Sequence, residues 1–411
     1  MTYQTQKISQ SEYDHYVAAL AGEVYQSSTW AEVKNNWTHD YVAVSQGDDI
    51  KGVALILYRK IPMTNFKLAY MPRGPVCDYS QLEDFKAILE ACMQAAKANN
   101  AFTLKFDPQL SRDKGQELKD YVLSIGGQHA GYEKGIKYNQ PNFLMITDME
   151  DDKDALFKRF SSNTRNKIKK AGKNGVKTIA VSDQEVSKFA KLMEITSERD
   201  DFGARQGDYF VHLLDSFGDQ AQLYLTKLII ADALDQKQKE LKNISKERKG
   251  IEKKLAKIGE ETGKKKDNLL NSLDIIDKRE SKAQAMLSDL ESLQAQGETE
   301  VVLSGAIMLY FAETAYYVYA ASSNDYRDLL PNYQMIWTMM SDAMDRGCRY
   351  FDFGGVSGYT SENNQDDPEA GLYEFKKNFA SEQLETISEF DIVLKPMVNK
   401  VFDTAMKLRK H

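Results

Sequence analysis

Apolar and polar positions along this chain change their spacing repeatedly, and each change marks an element. In YVAVSQGDDIKGVALILYRK, two apolar runs flank a polar, Gly-containing turn, which predicts a β-hairpin. An extended stretch, FKLAYMPRGPV, follows, then helical spacing over 82–98 and a strand, AFTLKFDP. Past Arg159 the order recurs. AQLYLTKLIIADA and VVLSGAIMLYFAETAYYVYAAS predict strands, 329–346 a helix, and CRYFDFGG a further strand. Two copies of one mixed α/β unit predict a duplicated domain with a shared cleft.

The second copy is interrupted between its first strands. From about Asp235 to Gln296 the composition shifts to Lys, Glu, Asp, Leu and Ser, without Pro or Trp. Leu241, Ile244, Ile251, Leu255 and Ile258 form a seam spaced alternately three and four, with Arg248 in its one charged seat. After a polar turn at 259–265 a second seam runs through Leu269, Leu273, Ile276, Glu280, Ala283, Leu287 and Leu290. Folding one on the other sets Ile251 against Ile276, Arg248 against Glu280 and Ile244 against Ala283. That match predicts an antiparallel helical hairpin whose register the charged pair fixes. The expected divisions are 1–149, then 150–233 with 298–395, a coiled-coil insertion at 234–297, and a basic amphipathic helix at 396–411.

Composition narrows the chemistry. The 411 residues are 42% hydrophobic and 28% charged, ordinary for a soluble globular protein. No apolar run reaches the roughly 18–20 residues of a membrane span. The polar N-terminus lacks the apolar core of a signal peptide, so a cytoplasmic protein is expected. Cys77, Cys92 and Cys348 form no CxxC pair, and the five histidines are scattered without metal-ligand spacing. No metal, cofactor or Ser-His-Asp triad is indicated. With a net charge of −7, any nucleic-acid contact must come from a local patch.

The order of elements resembles an acetyltransferase-like (GNAT) fold. The coenzyme A pyrophosphate loop, Q/R-x-x-G-x-G/A before a helix, is absent from both copies. The remaining motifs are QSSTWAEVK, AYMPRGPV, KRFSSNTRNKIKKAGKNGVK, TSERDDFGARQGDYF, DYRDLLPNYQMIW, FDFGGVSG and GLYEFKKNF. In this order, around a coiled-coil insertion, they resemble the Fem family of peptidoglycan interpeptide-bridge aminoacyl transferases, the FemA/FemB/FemX and MurM/MurN group. The resemblance runs from Gln26 to the strand SEFDIVLKP. It implies two tandem GNAT-like subdomains, class α/β (α+β). It also implies transfer of Ala, Ser or Gly from aminoacyl-tRNA to an amine of lipid II or of UDP-MurNAc-pentapeptide.

The resemblance further implies residue roles. Lys34 and Arg327 would grip precursor phosphate, with Arg73 and Tyr333 lining the same cleft, and Asp107 would stand near the acceptor amine. Lys376, preferred to Lys377, would stabilise the oxyanion of the tetrahedral intermediate or hold the tRNA 3′ end. Each residue has a plainer alternative: a solvated lysine, a salt bridge, a core aromatic, a strand-end cap. In GLYEFKKNF, helical spacing puts Leu372, Phe375 and Phe379 on one face and Tyr373, Lys376 and Lys377 on the other.

The run 158–177 has eight Lys/Arg and no acid, so Lys158, Arg159, Arg165, Lys167, Lys169 and Lys170 suit a tRNA backbone or a solvated helix face. In the tail, Val401, Phe402, Ala405, Met406 and Leu408 mix with Lys400, Lys407, Arg409 and Lys410. That mixture suits either an anionic inner membrane surface or a docked helix. Association with itself or with related enzymes is a further partner class. Two other functions remain open at this level: a non-catalytic scaffold for bridge-forming enzymes, and an acyltransferase with another donor.

Overall fold

The computed structural model describes residues 2–134, 139–149, 152–259, 263–359 and 370–409, with backbone alone for 406–409. The side chains of Met406, Lys407, Leu408 and Arg409, and all of Lys410, lie outside the described residues, as does part of the expected 259–265 turn.

The first sheet takes Gln4–Gln6 (β1), Thr38–Gln46 (β2), Asp49–Lys60 (β3), Lys67–Met71 (β4), Val76–Cys77 (β5), Ala101–Phe106 (β6) and Gln128–His129 (β7). The second takes Phe143–Asp148 (β8), Val176–Val181 (β9), Ala221–Ile229 (β10), Glu300–Phe311 (β11), Thr314–Ser322 (β12), Tyr350–Val356 (β13) and Glu382–Glu385 (β14). Phe390–Val393 (β15) then returns to the first sheet. The orders are β1-β2-β3-β4-β6-β15-β7, with β5 on β3, and β14-β8-β13-β12-β11-β10-β9.

One connectivity appears twice. β2, β3 and β4 run antiparallel, helix Leu82–Ala98 crosses over, and β6 lies parallel to β4. β10, β11 and β12 run antiparallel, helix Pro331–Asp345 crosses over, and β13 lies parallel to β12. A parallel neighbour requires such a crossover, so these helices are where the repeat demands them. The architecture is a tandem of GNAT-like α/β units, as the order of elements predicts.

The sheets do not respect the expected boundaries. β8 falls within 1–149 yet belongs to the second sheet, and β15 falls within 298–395 yet pairs with β6 and β7 of the first. Each unit thus takes its strand beside the parallel pair from across the chain. Apolar alternation fixes which strand faces which layer but not which sheet accepts it.

Three cores follow. Val53, Leu55 and Leu57 of β3 meet Leu223 and Leu225 of β10 and Ile307 and Leu309 of β11 between the sheets. The far face of the first sheet packs under Phe85, Ile88 and Leu89, and that of the second under Ile336, Met339 and Met340. Phe379 is fully buried in the last core, with the Phe160, Phe353, Phe375 and Tyr333 rings 5.5–5.8 Å away. Phe379→Ala should therefore lower unfolding free energy by about 3–5 kcal/mol, read by urea denaturation. A loss under about 1 kcal/mol would contradict that packing.

Helices Ile230–Ile258 and Lys264–Ala295 form the hairpin, and the first starts where β10 ends. Ile244, Ile276 and Ala283 are buried together with Leu241 and Ile251 against them, and Arg248 pairs with both Glu280 and Asp277. The expected register is the one adopted. Among the described residues, no helix is long and apolar enough to cross a membrane.

Candidate active site

In both sheets the parallel pair splays apart at its C-terminal end. β4 and β6 last pair at Met71 and Phe106; Arg73 and Asp107 lie just beyond. β12 and β13 last pair at Tyr316 and Asp352. Past Asp352 the β13–β8 register slips, and Gly354 has φ +72°, a left-handed conformation suited to glycine. A Cβ on Gly355 would stand 2.4 Å from the Pro141 side chain, so this bulge needs both glycines. The charged residues at the two forks converge between the sheets.

At that meeting point Arg73 is 3% exposed, Asp107 3%, Asp352 5%, Lys376 5% and Glu23 9%. Asp107 accepts from the Arg73 backbone N–H and the Tyr70 hydroxyl, both at 2.7 Å, and Arg73 Nη2 donates to the Pro141 carbonyl at 2.9 Å. Asp352 accepts from the Gly354 N–H at 2.6 Å. Lys376 Nζ donates to the Gly355 carbonyl at 2.6 Å, so the bulge holds the ammonium. Burial, reinforced by Asp352, pushes Glu23 up to about 8, with Arg73 opposing. Burial also raises Asp352, again opposed by Arg73 and Lys376, and lifts Asp107 to about 6. Arg73 Nε is buried with no hydrogen-bond partner among the described residues, and the Glu23 carboxyl lies against Gln109 and Tyr316. An unpartnered buried donor beside two buried acids is costly, a pattern that suits a polar ligand.

A second charged group is linked to this cluster through a run of aromatic rings. Lys34 caps helix Ser28–Val33, its ammonium 4.4 Å from the Trp30 ring centroid and 5.7 Å from that of Tyr209. The Arg205 guanidinium lies 5.1 Å from the other contact point, the same Tyr209 ring. Burial first, then Arg205, push Lys34 down to about 8, as expected for two cations sharing one wall. Aromatics join this pair to the buried cluster. Trp30 meets Tyr25 at 4.9 Å, Tyr25 meets Tyr316 at 6.3 Å, and the Tyr209 and Tyr319 hydroxyls are 2.9 Å apart. Gln26 braces the wall: its amide bonds Leu55 N and O of β3 and the Pro72 carbonyl, filling the gap where β4 leaves β3.

A family model described as FemAB matches residues 8–407. The lipid II:glycine glycyltransferase of Staphylococcus aureus (strain USA300) is 34% identical over 412 residues, 98% of this chain and 96% of that protein. The protein of the same description from Staphylococcus haemolyticus (strain JCSC1435) is 34% identical over 411 residues, with the same coverage. The chain belongs to the FemAB family. The crystal structure of FemX superposes with a TM-score of 0.77 at 31% identity, covering 97% of this chain and 99% of that one.

The helix Ala370–Lys377 of this FemAB chain corrects the expected amphipathic split. Lys376 is buried, whereas Leu372 is 37% exposed and Lys377 is exposed over the Tyr373 ring. The helix ends at Lys377, and Phe379 reaches the core from the following turn, so 3.6-residue spacing no longer relates it to Leu372. Asp107, with each oxygen bonded within the chain, positions Arg73. Arg73 balances the buried acids.

Tyr333 is a core aromatic whose hydroxyl accepts from Lys167 Nζ at 3.0 Å and Asn378 Nδ2 at 3.3 Å. Arg327 is exposed on the turn Arg327–Leu329. Its neighbours Tyr326 and Asp328 bond Asp289 and Lys282 of the hairpin, and no described contact joins Arg327 to Lys34 or Lys376.

The basic run of this FemAB chain forms helices Lys153–Arg159 and Ser162–Lys173. Arg165 bonds the carbonyls of Lys158 and Phe160, and Arg159 that of Asp148, while Lys158, Lys169 and Lys170 are exposed. Arg205, Tyr209, Glu23, Asp352 and Gln26, which stand around this candidate site, are not among the residues expected from the sequence. Arg205 and Tyr209 sit four apart inside TSERDDFGARQGDYF, and Asp352 precedes the glycine pair of FDFGG. Those were usable signals. Glu23, in AGEVYQ, carried none.

Proposed function

We propose that this FemAB-family transferase moves an amino acid from its tRNA ester to an amine of a peptidoglycan precursor, with lipid II as acceptor and glycine as donor residue. One observation supports the reading: a two-cation group and a buried acid–base cluster are joined by a continuous run of aromatic rings. Lys34 and Arg205 suit a diphosphate, which two cations neutralise and a guanidinium grips bidentately. The half-buried Tyr25, Tyr209 and Tyr319 suit the sugar and stem peptide. The forks suit the reacting atoms.

In the reaction the acceptor nitrogen bonds the ester carbonyl carbon, the carbonyl oxygen becomes an oxyanion, and the carbon–ribose oxygen bond then breaks. Lys376, held by the Gly355 carbonyl, supplies positive charge to the oxyanion. The Glu23–Asp352 pair accepts the proton the amine loses and returns it to the departing ribose oxygen. The ester is reactive enough that no covalent enzyme intermediate is required. Exposed Lys158, Lys169 and Lys170 suit the tRNA backbone. Lys167, on Tyr333 beside the Lys376 helix, suits its approach to the centre.

The deciding assay incubates purified protein with lipid II and radiolabelled glycyl-tRNA, with alanyl- and seryl-tRNA alongside. Absence of transfer from all three would overturn the reading. Because burial holds Glu23 near 8, its ionised form grows with pH. Transfer by wild type should therefore rise about tenfold per pH unit between 6 and 7. Glu23→Gln should rise with pH less steeply than wild type and be lower by about 100-fold or more.

The stability sign is opposite. A carboxyl raised on folding binds its proton more tightly in the native state. That contribution is full below about pH 4.5 and is lost as pH rises to about 8. Glu23→Gln should thus gain on wild type by about 1.4 kcal/mol per pH unit between 5 and 8. Parallel unfolding curves at all pH values would remove Glu23 from this role.

A further inference from the structure

The three most exposed large hydrophobic side chains among the described residues are Met63 (103%), Met397 (86%) and Val401 (71%). They come from two distant parts of the sequence and share one end of the first sheet. Met63, with φ +63°, tips the turn between β3 and β4, which Ile61 and Phe66 close with a 3.0 Å backbone bond. Met397 and Val401 lie on the C-terminal helix Pro396–Arg409, whose Phe402 docks on Phe102 at 5.0 Å.

Two residues tie the turn to the helix: Lys395 lies 5.1 Å from the Phe66 ring and bonds Asn100, and Asn100 bonds the Asn65 carbonyl at 2.8 Å. Lys60 and Lys67 flank the Met63 turn along the chain, and Lys395 and Lys400 flank Met397 and adjoin Val401. Of the acids facing them, Asp40 is bonded to Tyr58 and Asn99, and Asp403 to Asn399. A chain of net charge −7 thus carries a basic, apolar patch at this end.

The same end carries the cation pair of the cleft. Trp37 donates to the Lys34 carbonyl at 2.8 Å, Arg59 lies 5.9 Å from the Trp37 ring, and Lys67 reaches Thr38 at 3.4 Å. From this placement we propose that the Met63 turn and the start of the C-terminal helix dock on an anionic bilayer surface. The two methionines and Val401 enter the headgroup boundary and the lysines face acidic lipids. This rests on the reading of the cleft as a site for a lipid-linked diphosphate. Such a diphosphate is fixed at headgroup depth, so a clamp that grips it must itself stand at the membrane surface. The far end of the aromatic wall then holds the reacting amine away from the lipid.

The test uses the full chain and large unilamellar vesicles of phosphatidylglycerol and phosphatidylcholine, with pure phosphatidylcholine as comparison. Wild type should cosediment with the acidic vesicles, less so at high salt. Met63→Asp/Met397→Asp and Lys60→Glu/Lys400→Glu should each bind at least about tenfold more weakly. All four positions are peripheral to the cleft, so both variants should keep wild-type transfer to soluble UDP-MurNAc-pentapeptide while losing transfer to vesicle-embedded lipid II. Equal vesicle binding by wild type and variants, or none by wild type, overturns the proposal. So does a lipid-free dimer in sedimentation velocity that Met63→Asp/Met397→Asp converts to monomer, since a second copy then covers the patch. Vesicle binding without transfer to either acceptor would leave the docking surface standing but remove the diphosphate reading that motivates it.

Discussion

Replacing Lys376 by alanine is expected to lower aminoacyl transfer to lipid II about 100- to 1000-fold, the usual cost of removing one preorganised oxyanion donor. The loss should appear in kcat, because the ammonium meets its charge only as the tetrahedral intermediate forms. Lys376 is buried and fixed to the Gly355 carbonyl, so it need not reorganise when that charge appears. Lys377→Ala, which removes an exposed lysine stacked on Tyr373, should stay within about twofold of wild type. Lys376→Arg should not rescue, since a guanidinium is bulkier and planar where the bulge holds a compact ammonium. Removing Lys376 also strips a cation from beside Asp352, so each variant's unfolding curve belongs with its kinetics. Equal transfer by Lys376→Ala and wild type would remove this residue from the chemistry.

Arg205→Ala and Lys34→Ala should each raise KM for lipid II about 10- to 100-fold with kcat nearly unchanged. A charge-assisted contact contributes about 1.5–3 kcal/mol, and about 1.4 kcal/mol is tenfold. Both residues share the Tyr209 ring, so the double variant should lose less than the sum of the two. Affinity for the precursor should also decline above about pH 8, where Lys34 sheds its proton. The informative control is Arg327→Ala. Motif position gives Arg327 the phosphate role, whereas its place on the turn beside the hairpin gives it little reason to alter KM. A KM effect for Arg327 equal to that of Arg205 would restore the sequence-based assignment.

Period and order carried most of the fold. The β2–β3 hairpin, both crossover helices and the coiled-coil register follow from spacing alone, since each depends on neighbours in sequence or on one matching seam. The destinations of β8 and β15 do not. A short apolar strand suits either sheet, and only three-dimensional competition for the edge beside β6 or β13 decides between them. At the candidate site, Lys34 and Lys376 are singled out by motifs whose order carries information, and the structure places both in partly or fully buried, partnered positions. Glu23 and Asp352 become a pair only when two forks from opposite ends of the chain meet. Arg205 was within a quoted motif, but its partner Lys34 lies in the other half, and no local spacing links them.

The crossing of β8 and β15 also orders events during synthesis. β6 emerges early, but its partner β15 leaves the ribosome on the order of tens of seconds later. Until then the first sheet has an open edge at β6, next to Asp107, and a nascent chain with that edge exposed can recruit the wrong strand. The basic and acidic residues that cross-link Lys105 to Glu389 and Asp391 after β15 arrives act as a latch that a stray strand lacks. A ribosome that stalls before Phe390 would therefore release a chain with its second sheet nearly whole and its first sheet unsealed, which is a substrate for chaperones and not a smaller enzyme.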